Sequence, residues 1–303
     1  MPSQSEVEVA QLLIEKTAEA KEFRKRWKLV AAEVNKLRVQ NQAFYIVTDE
    51  YLRGQTARLR YEIWNFAFGY FDGLPSQQMS LKNPNAGSFQ HFISTVEDFD
   101  LYSNNFPALV EAFLWRFLVN NVFDLFLWAD TAAKPLVQLS TLLRPSESSL
   151  CIPTGYPDLQ RRFQIWKAST TTFVLDSSRP ANESMKLPLV QALCNALGPF
   201  CRTERLILTK EVTDIIGMAI DLDREICKQV ALVSWVFPVP GDLSDGRLIF
   251  DGKRMMIERE QSQPTHATNV RLVVAPALVK RGNSNGEDFD LENVVVKMKV
   301  MPH

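Results

Sequence analysis

A mainly α, multi-helix bundle with a long N-terminal helix and a small β-containing C-terminal appendage is the fold class this sequence predicts. Three observations predict it. Residues 6–70 hold no proline and only two glycines, Gly54 and Gly69. Apolar stripes at steps of three and four recur as far as residue 235. From Phe237 onward the pattern turns to short β-branched and alternating runs between turn residues. The 303 residues are 46% hydrophobic and 23% charged, enough to build a core without disulfides or a structural metal.

The N-terminal stripe runs through Val9, Leu13, Ala20, Phe23, Trp27, Val30, Val34, Leu37, Phe44 and Tyr51, interrupted by Lys16, Asn41 and Thr48. That is the spacing of a coiled coil or of a long helix in a bundle. Phe and Trp are wide knobs, so a bundle, or an arm folded on its own domain, suits them better than a narrow two-stranded seam. Asn41 at a core position either selects alignment or marks a change of packing partner. Gly54 marks a bend, and Leu59, Ile63, Phe66 and Tyr70 resume the stripe in a new phase. Asp72-Gly73-Leu74-Pro75 is a strong stop.

Residues 76–105 read as a linker carrying one short helix. Asn105-Phe106-Pro107 then opens a helix whose apolar residues cover nearly its whole circumference, which places it at the centre of the fold. Arg116, Asn120 and Asp124 recur every four residues on it. They form a buried polar ribbon that joins a charge pair to an amide network, or else they face solvent. Residues 144–158 and 176–184 read as loops, with helices expected at 159–172, 187–197 and 206–235. Extended runs are expected at 247–259, 269–279 and 293–300, with Asp251-Gly252 as a hairpin turn. The resulting divisions are an arm at 6–74, a helical body at 75–236 that packs with it, and a β-rich segment at 237–303.

The chemistry-bearing residues form no familiar set. His91, His266 and His303 are far apart, and Cys151, Cys194, Cys201 and Cys227 have neither metal-site spacing nor a close CxxC pair. Gly282-Asn-Ser-Asn-Gly286 lacks the lysine of a phosphate-binding loop and is read as a turn. The best acidic group is Glu211, Asp214, Asp221, Asp223 and Glu225; Asp214 and Asp221 share a helical face. Interleaved Lys210, Arg224 and Lys228 make that face look solvated, so the pair is a weak candidate. No catalytic residue, metal or cofactor is expected.

A formal net charge of -1 leaves nucleic acid without its usual basic partner surface. The basic stretch Lys21–Lys28 is diluted by Glu15, Glu19 and Glu22. The window 106–129 is too interrupted by Arg116, Asn120, Asn121 and Asp124 for a membrane span. Nothing resembles a secretory signal, so the Asn182-Glu-Ser184 sequon is without meaning and the expected location is cytoplasmic or nuclear. The aromatic content is skewed: 19 Phe against 6 Tyr and 6 Trp points to core filling or contact surface. The expected function is a scaffold or adaptor that binds a protein partner or its own copy through Phe23, Trp27, Val30, Leu37, Phe44 and Tyr51. The alternative is a helical enzyme or small-molecule-binding protein with an aromatic-lined pocket between helices.

Overall fold

A computed structural model of the chain describes residues 16–17, 19–30, 47–72, 87–95, 105–145, 156–177, 185–238, 243–244, 247–257 and 268–302. Two compact units emerge, Met1–Phe44 and Tyr45–His303. In the first, residues 19–30 are helical. Glu22 pairs with Arg26 one turn on, while Phe23, Trp27, Leu29 and Val30 stand exposed.

The second unit begins its helices with a cap. The stripe through residues 6–70 suggests one uninterrupted helix, but Val47 and Thr48 are not helical. Thr48 is extended, and its hydroxyl accepts the Tyr51 N–H at 3.2 Å. Asp49 and Glu50 fill the first turn, where negative charge suits the helix dipole. Helix α1 (Asp49–Phe71) follows and buries Leu52, Leu59, Ile63, Phe66 and Phe71. It passes straight through Gly54, which has open space around it.

The remaining α-helices among the described residues are α2 (Gly87–Thr95), α3 (Phe106–Asn121), α4 (Ala133–Leu143), α5 (Tyr156–Ser177), α6 (Lys186–Leu197) and α7 (Arg205–Cys227). Helix α3 is the centre: every residue from Phe106 to Trp115 is buried. Phe89 of α2 meets Phe113, Phe106 and Phe200 edge-on at 4.9–6.1 Å between centroids, a geometry aromatic quadrupoles favour. The protein is mainly α, a multi-helix bundle with a small C-terminal β portion. No helix among the described residues is long and apolar enough to cross a membrane.

The expected helix over 206–235 ends early. Helix α7 stops at Cys227, and strand β1 (Leu232–Val236) follows. An apolar run with neither glycine nor proline inside it suits a buried strand as well as a buried helix, so periodicity alone misplaces this boundary. Seven further strands among the described residues are β2 (Leu243–Ser244), β3 (Arg247–Ile249), β4 (Met255–Ile257), β5 (Asn269–Ala275), β6 (Ala277–Arg281), β7 (Glu292–Val296) and β8 (Met298–Pro302). They form a three-stranded sheet, β1-β6-β7, and a five-stranded sheet, β2-β3-β5-β8-β4. The turn at Asp251 exists, with the Met255 N–H donating to Asp251 O at 2.7 Å. It joins no hairpin: β3 pairs with β5, and β4 lies parallel to β8 at the far edge. Gly282, left-handed at φ 79°, does serve the β6–β7 turn; a Cβ there would lie 2.9 Å from the Phe289 ring.

Only Pro276 separates β5 from β6, and only Lys297 separates β7 from β8. Each of these runs therefore leaves one sheet for the other at a single residue. Arg60 of α1 meets both breaks. Its Nη2 donates to the Pro276 carbonyl at 2.6 Å and to the Lys297 carbonyl at 2.8 Å. Seven residues earlier on the same helix face, Arg53 Nε donates to Val295 O at 3.3 Å. Burial draws the Arg60 pKa down to about 10, with Glu111 opposing the shift, so the clamp stays cationic at neutral pH. From α3, buried Glu111 receives Lys299 of β8 at 3.1 Å through both oxygens.

Arg60→Met is expected to lose about 3 kcal/mol of unfolding free energy, because two carbonyls lose a charged donor together. Arg60→Lys should lose less, since an ammonium keeps the charge but not the fork. Urea denaturation of the three chains measures this, and unchanged midpoints would remove the clamp from any structural role.

Candidate functional site

Helix α3 ends at Asn121, and the chain then turns sharply three times. Asp124, Phe126 and Asp130 all have positive φ, at 62°, 53° and 50°. None is glycine, and each such residue costs on the order of 1–3 kcal/mol, so the surroundings must hold them there. What holds Asp124 is visible. Its N–H donates to Asp223 Oδ1 of α7 at 2.8 Å. Its carboxylate takes Lys167 Nζ of α5 at 2.6 Å on one oxygen and Arg144 Nη2 on the other.

Asp223 is almost fully buried and collects further donors. Trp128 Nε1 reaches its Oδ2 at 3.2 Å, and the Cys227 thiol lies 3.7 Å from Oδ1. Burial pushes the Asp223 pKa from the ordinary 3.8 up to about 7; the Asp124 N–H and the Lys167 charge pull against it. At Asp124 burial likewise opposes ionisation, but Lys167 and Arg144 outweigh it and hold this carboxyl below its ordinary value. Lys167 would be lowered by burial, yet Cys227 and Asp124 move it upward. At neutral pH burial keeps Cys227 a neutral thiol, so the Asp124 carboxylate is the group that keeps the ammonium charged.

This network is the floor of a cavity of about 620 Å³ between α5, the end of α3, and the three-stranded sheet. Small-molecule sites fall in this range, roughly 300–1,000 Å³. Helix α5 supplies Gln160, Phe163, Gln164 and Lys167. From β1 comes Trp235, whose ring sits between Trp115 and Phe123 with centroids 5.1 and 4.8 Å away. Arg144, Arg254 and Arg281 complete the lining, each with between 43% and 52% of its side chain in solvent. Glu292 of β7 binds Arg254 through one oxygen and Arg281 through the other, the latter at 2.6 Å. The hydrogen bond from Arg281 is the chief cause that holds Glu292 below its ordinary pKa; burial opposes it, and Arg254 adds to it.

The residues singled out in the sequence are scattered. Phe23, Trp27 and Val30 are exposed on the 19–30 helix, and Tyr51 is exposed on α1. Leu37 and Phe44 lie outside the described residues. The ribbon of Arg116, Asn120 and Asp124 is not a buried one. Arg116 and Asn120 are exposed, with the Arg116 guanidinium over the Phe92 and Phe237 rings at 5.5 and 4.8 Å. Asp124 falls beyond the end of the helix, so its turn aims it inward instead of continuing the row. Asp214 and Asp221 are both exposed, and Asp221 pairs with Arg224 at 3.2 Å. The buried carboxylates of that acidic group are its neighbours Asp223 and Glu225. Among the described residues no cluster of His, Cys, Asp and Glu is arranged to hold a metal ion.

Sequence reasoning missed Lys167, Gln164 and Trp235. A signal for the first two exists: Gln160, Gln164, Lys167 and Thr171 are all buried and follow helical spacing on α5. Comparison of the chain with protein-family models, with curated proteins and with solved structures finds no match.

Between about pH 4 and 7 folded Asp223 holds a proton that the unfolded chain has released. Its contribution to stability is therefore full below about pH 4 and is lost as pH rises through 7. Asp223→Asn cannot ionise. Its melting temperature relative to the native chain should rise from about pH 4 to about pH 7 and level off above that; parallel melting curves would rule the linkage out.

Proposed function

We propose that the unit formed by residues 45–303 binds a small molecule in the cavity between α5 and the three-stranded sheet. The observation that carries this reading is a hollow of about 620 Å³ with Phe163, Phe123 and Trp235 on its walls and a charged network as its floor. A few fixed polar groups among aromatic walls are what orient a ligand. Asp124, left-handed at φ 62° on the cavity floor, is held by that network, as strained backbone at binding sites commonly is. Binding is favoured over covalent catalysis. Lys167 is held protonated and Cys227 is held as a thiol, so neither rests at neutral pH as the free amine or thiolate that nucleophilic attack uses.

The test uses N-phenyl-1-naphthylamine, a neutral aromatic dye that brightens when it leaves water. The full chain should bind one equivalent saturably. Gln160→Phe, which fills the hollow from α5, should weaken binding by about tenfold or more while the chain keeps its melting transition. Absence of saturable binding would overturn the reading.

A second reading rests on a separate observation. On the 19–30 helix Phe23 and Trp27 are 74% and 73% exposed, with Leu29 and Val30 beside them. Large apolar side chains grouped on one helix support contact with a protein partner or a second copy, as in a scaffold or adaptor. Light scattering of the full chain should show an oligomer that Phe23→Asp with Trp27→Asp dissociates without changing the melting of residues 45–303. A monomer at every concentration would exclude self-association.

A further inference from the structure

Two polar groups on residues that line the cavity are left without partners. Gln164 is 2% exposed, and its Nε2 makes no hydrogen bond; the same is true of the buried Trp235 Nε1. The first stands on α5 and the second on β1, so they approach the hollow from the helical and the β side. Other unpartnered atoms exist, such as Trp115 Nε1, but that ring lies in closed core and does not line the cavity. A buried donor without an acceptor costs about 1–3 kcal/mol, so each marks an unfilled requirement.

Both groups are donors. A water-filled or apolar occupant would not distinguish donors from acceptors, whereas an occupant rich in acceptor oxygens would. The charges around the hollow agree. Arg144, Lys167, Arg254 and Arg281 line it against Asp124, Asp223 and Glu292. Each of the three arginines has committed only part of its guanidinium to a carboxylate, and each retains N–H groups for another acceptor. The cationic excess grows when buried Asp223 takes up its proton.

We infer that the occupant carries an oxyanion on an aromatic or apolar body. Its oxygens accept the Gln164 and Trp235 N–H groups, and the arginines at the rim supply the counter-charge. The body lies against Phe163 and the Trp235 ring. A carboxylate and a phosphoryl group both satisfy this chemistry. The inference rests on the cavity being a binding site, and it adds the class of ligand.

A matched pair of dyes separates the two claims. 8-Anilino-1-naphthalenesulfonate is N-phenyl-1-naphthylamine with one sulfonate added. Titrated into the full chain, the sulfonate is expected to bind about tenfold more tightly than the neutral dye. Trp235→Phe keeps a ring and removes its N–H; Gln164→Leu keeps the bulk and removes the amide. Each should weaken the sulfonate by about three- to tenfold and leave the neutral dye unchanged. Gln164→Leu should also melt no lower than the native chain, because it removes an unmet donor; this arm stands even if Trp235→Phe fails to fold. Displacement by 1-naphthoate or by 1-naphthyl phosphate then assigns the group as carboxylate or phosphoryl, either result supporting the inference. Equal affinity for the two dyes would overturn the oxyanion while leaving the cavity as a binding site. Sulfonate binding indifferent to both variants would overturn it as well. Binding of neither dye would overturn both.

Discussion

Where a strand leaves one sheet for another, its carbonyls lose their ladder partners, and in a protein interior they must find others. Two strand runs make that passage side by side here, at Pro276 and Lys297, and a single guanidinium satisfies both. Proline suits the first break, since it has no N–H to leave unmet. Arg60 can serve them only because α1 is held by its own buried stripe against α3, and because Glu111 lies close enough to offset the burial of its charge. The helical layer thus fixes the point at which the two sheets diverge. Strands β1, β6 and β7 are carried from that point over α5, and the cavity is the space left between them.

The floor of the cavity obeys the same logic with the signs reversed. A carboxylate, Asp223, is buried among donors, and the turn after α3 bends left-handed to bring it the Asp124 N–H and the Trp128 indole. Lys167 and Arg144 meet the second carboxylate of the pair. Burying charges costs several kcal/mol unless partners offset it, and partners of this kind impose geometry as well as energy. The arrangement joins α3, α5 and α7 at one place. It leaves their remaining polar surface, Gln160 and Gln164, turned toward the hollow.

The helices were legible because their cores repeat at three and four: Leu59, Ile63 and Phe66 on α1, and Phe106–Trp115 on α3, apolar but for Glu111, are buried as their spacing requires. Strands β5 to β8 fall largely within the extended runs expected at 269–279 and 293–300, each of which breaks into two strands. The break at Thr48 is written as a capping sequence, Thr-Asp-Glu, but stands inside an apolar stripe that continues on both sides of it. Strand β1 was hidden because an apolar run without punctuation has no preferred period. The site was least legible, for a physical reason. Polar residues at helical spacing ordinarily face water, and only the packing of α5 under a sheet distant in sequence turns Gln160, Gln164 and Lys167 inward. Asp223 was seen among its acidic neighbours, yet the rotation of α7 that buries it and exposes Asp221 depends on contacts no local pattern contains.

The two unmet donors stand on elements that belong to different layers, and this bears on how much of the protein accumulates. An occupant bound to both would act as a strut between the layers and raise folding stability with its own concentration. The empty chain keeps the cost of both donors. Folded population, and with it resistance to proteolysis, would then follow the supply of the ligand, so that the amount of protein present becomes a record of the amount of ligand.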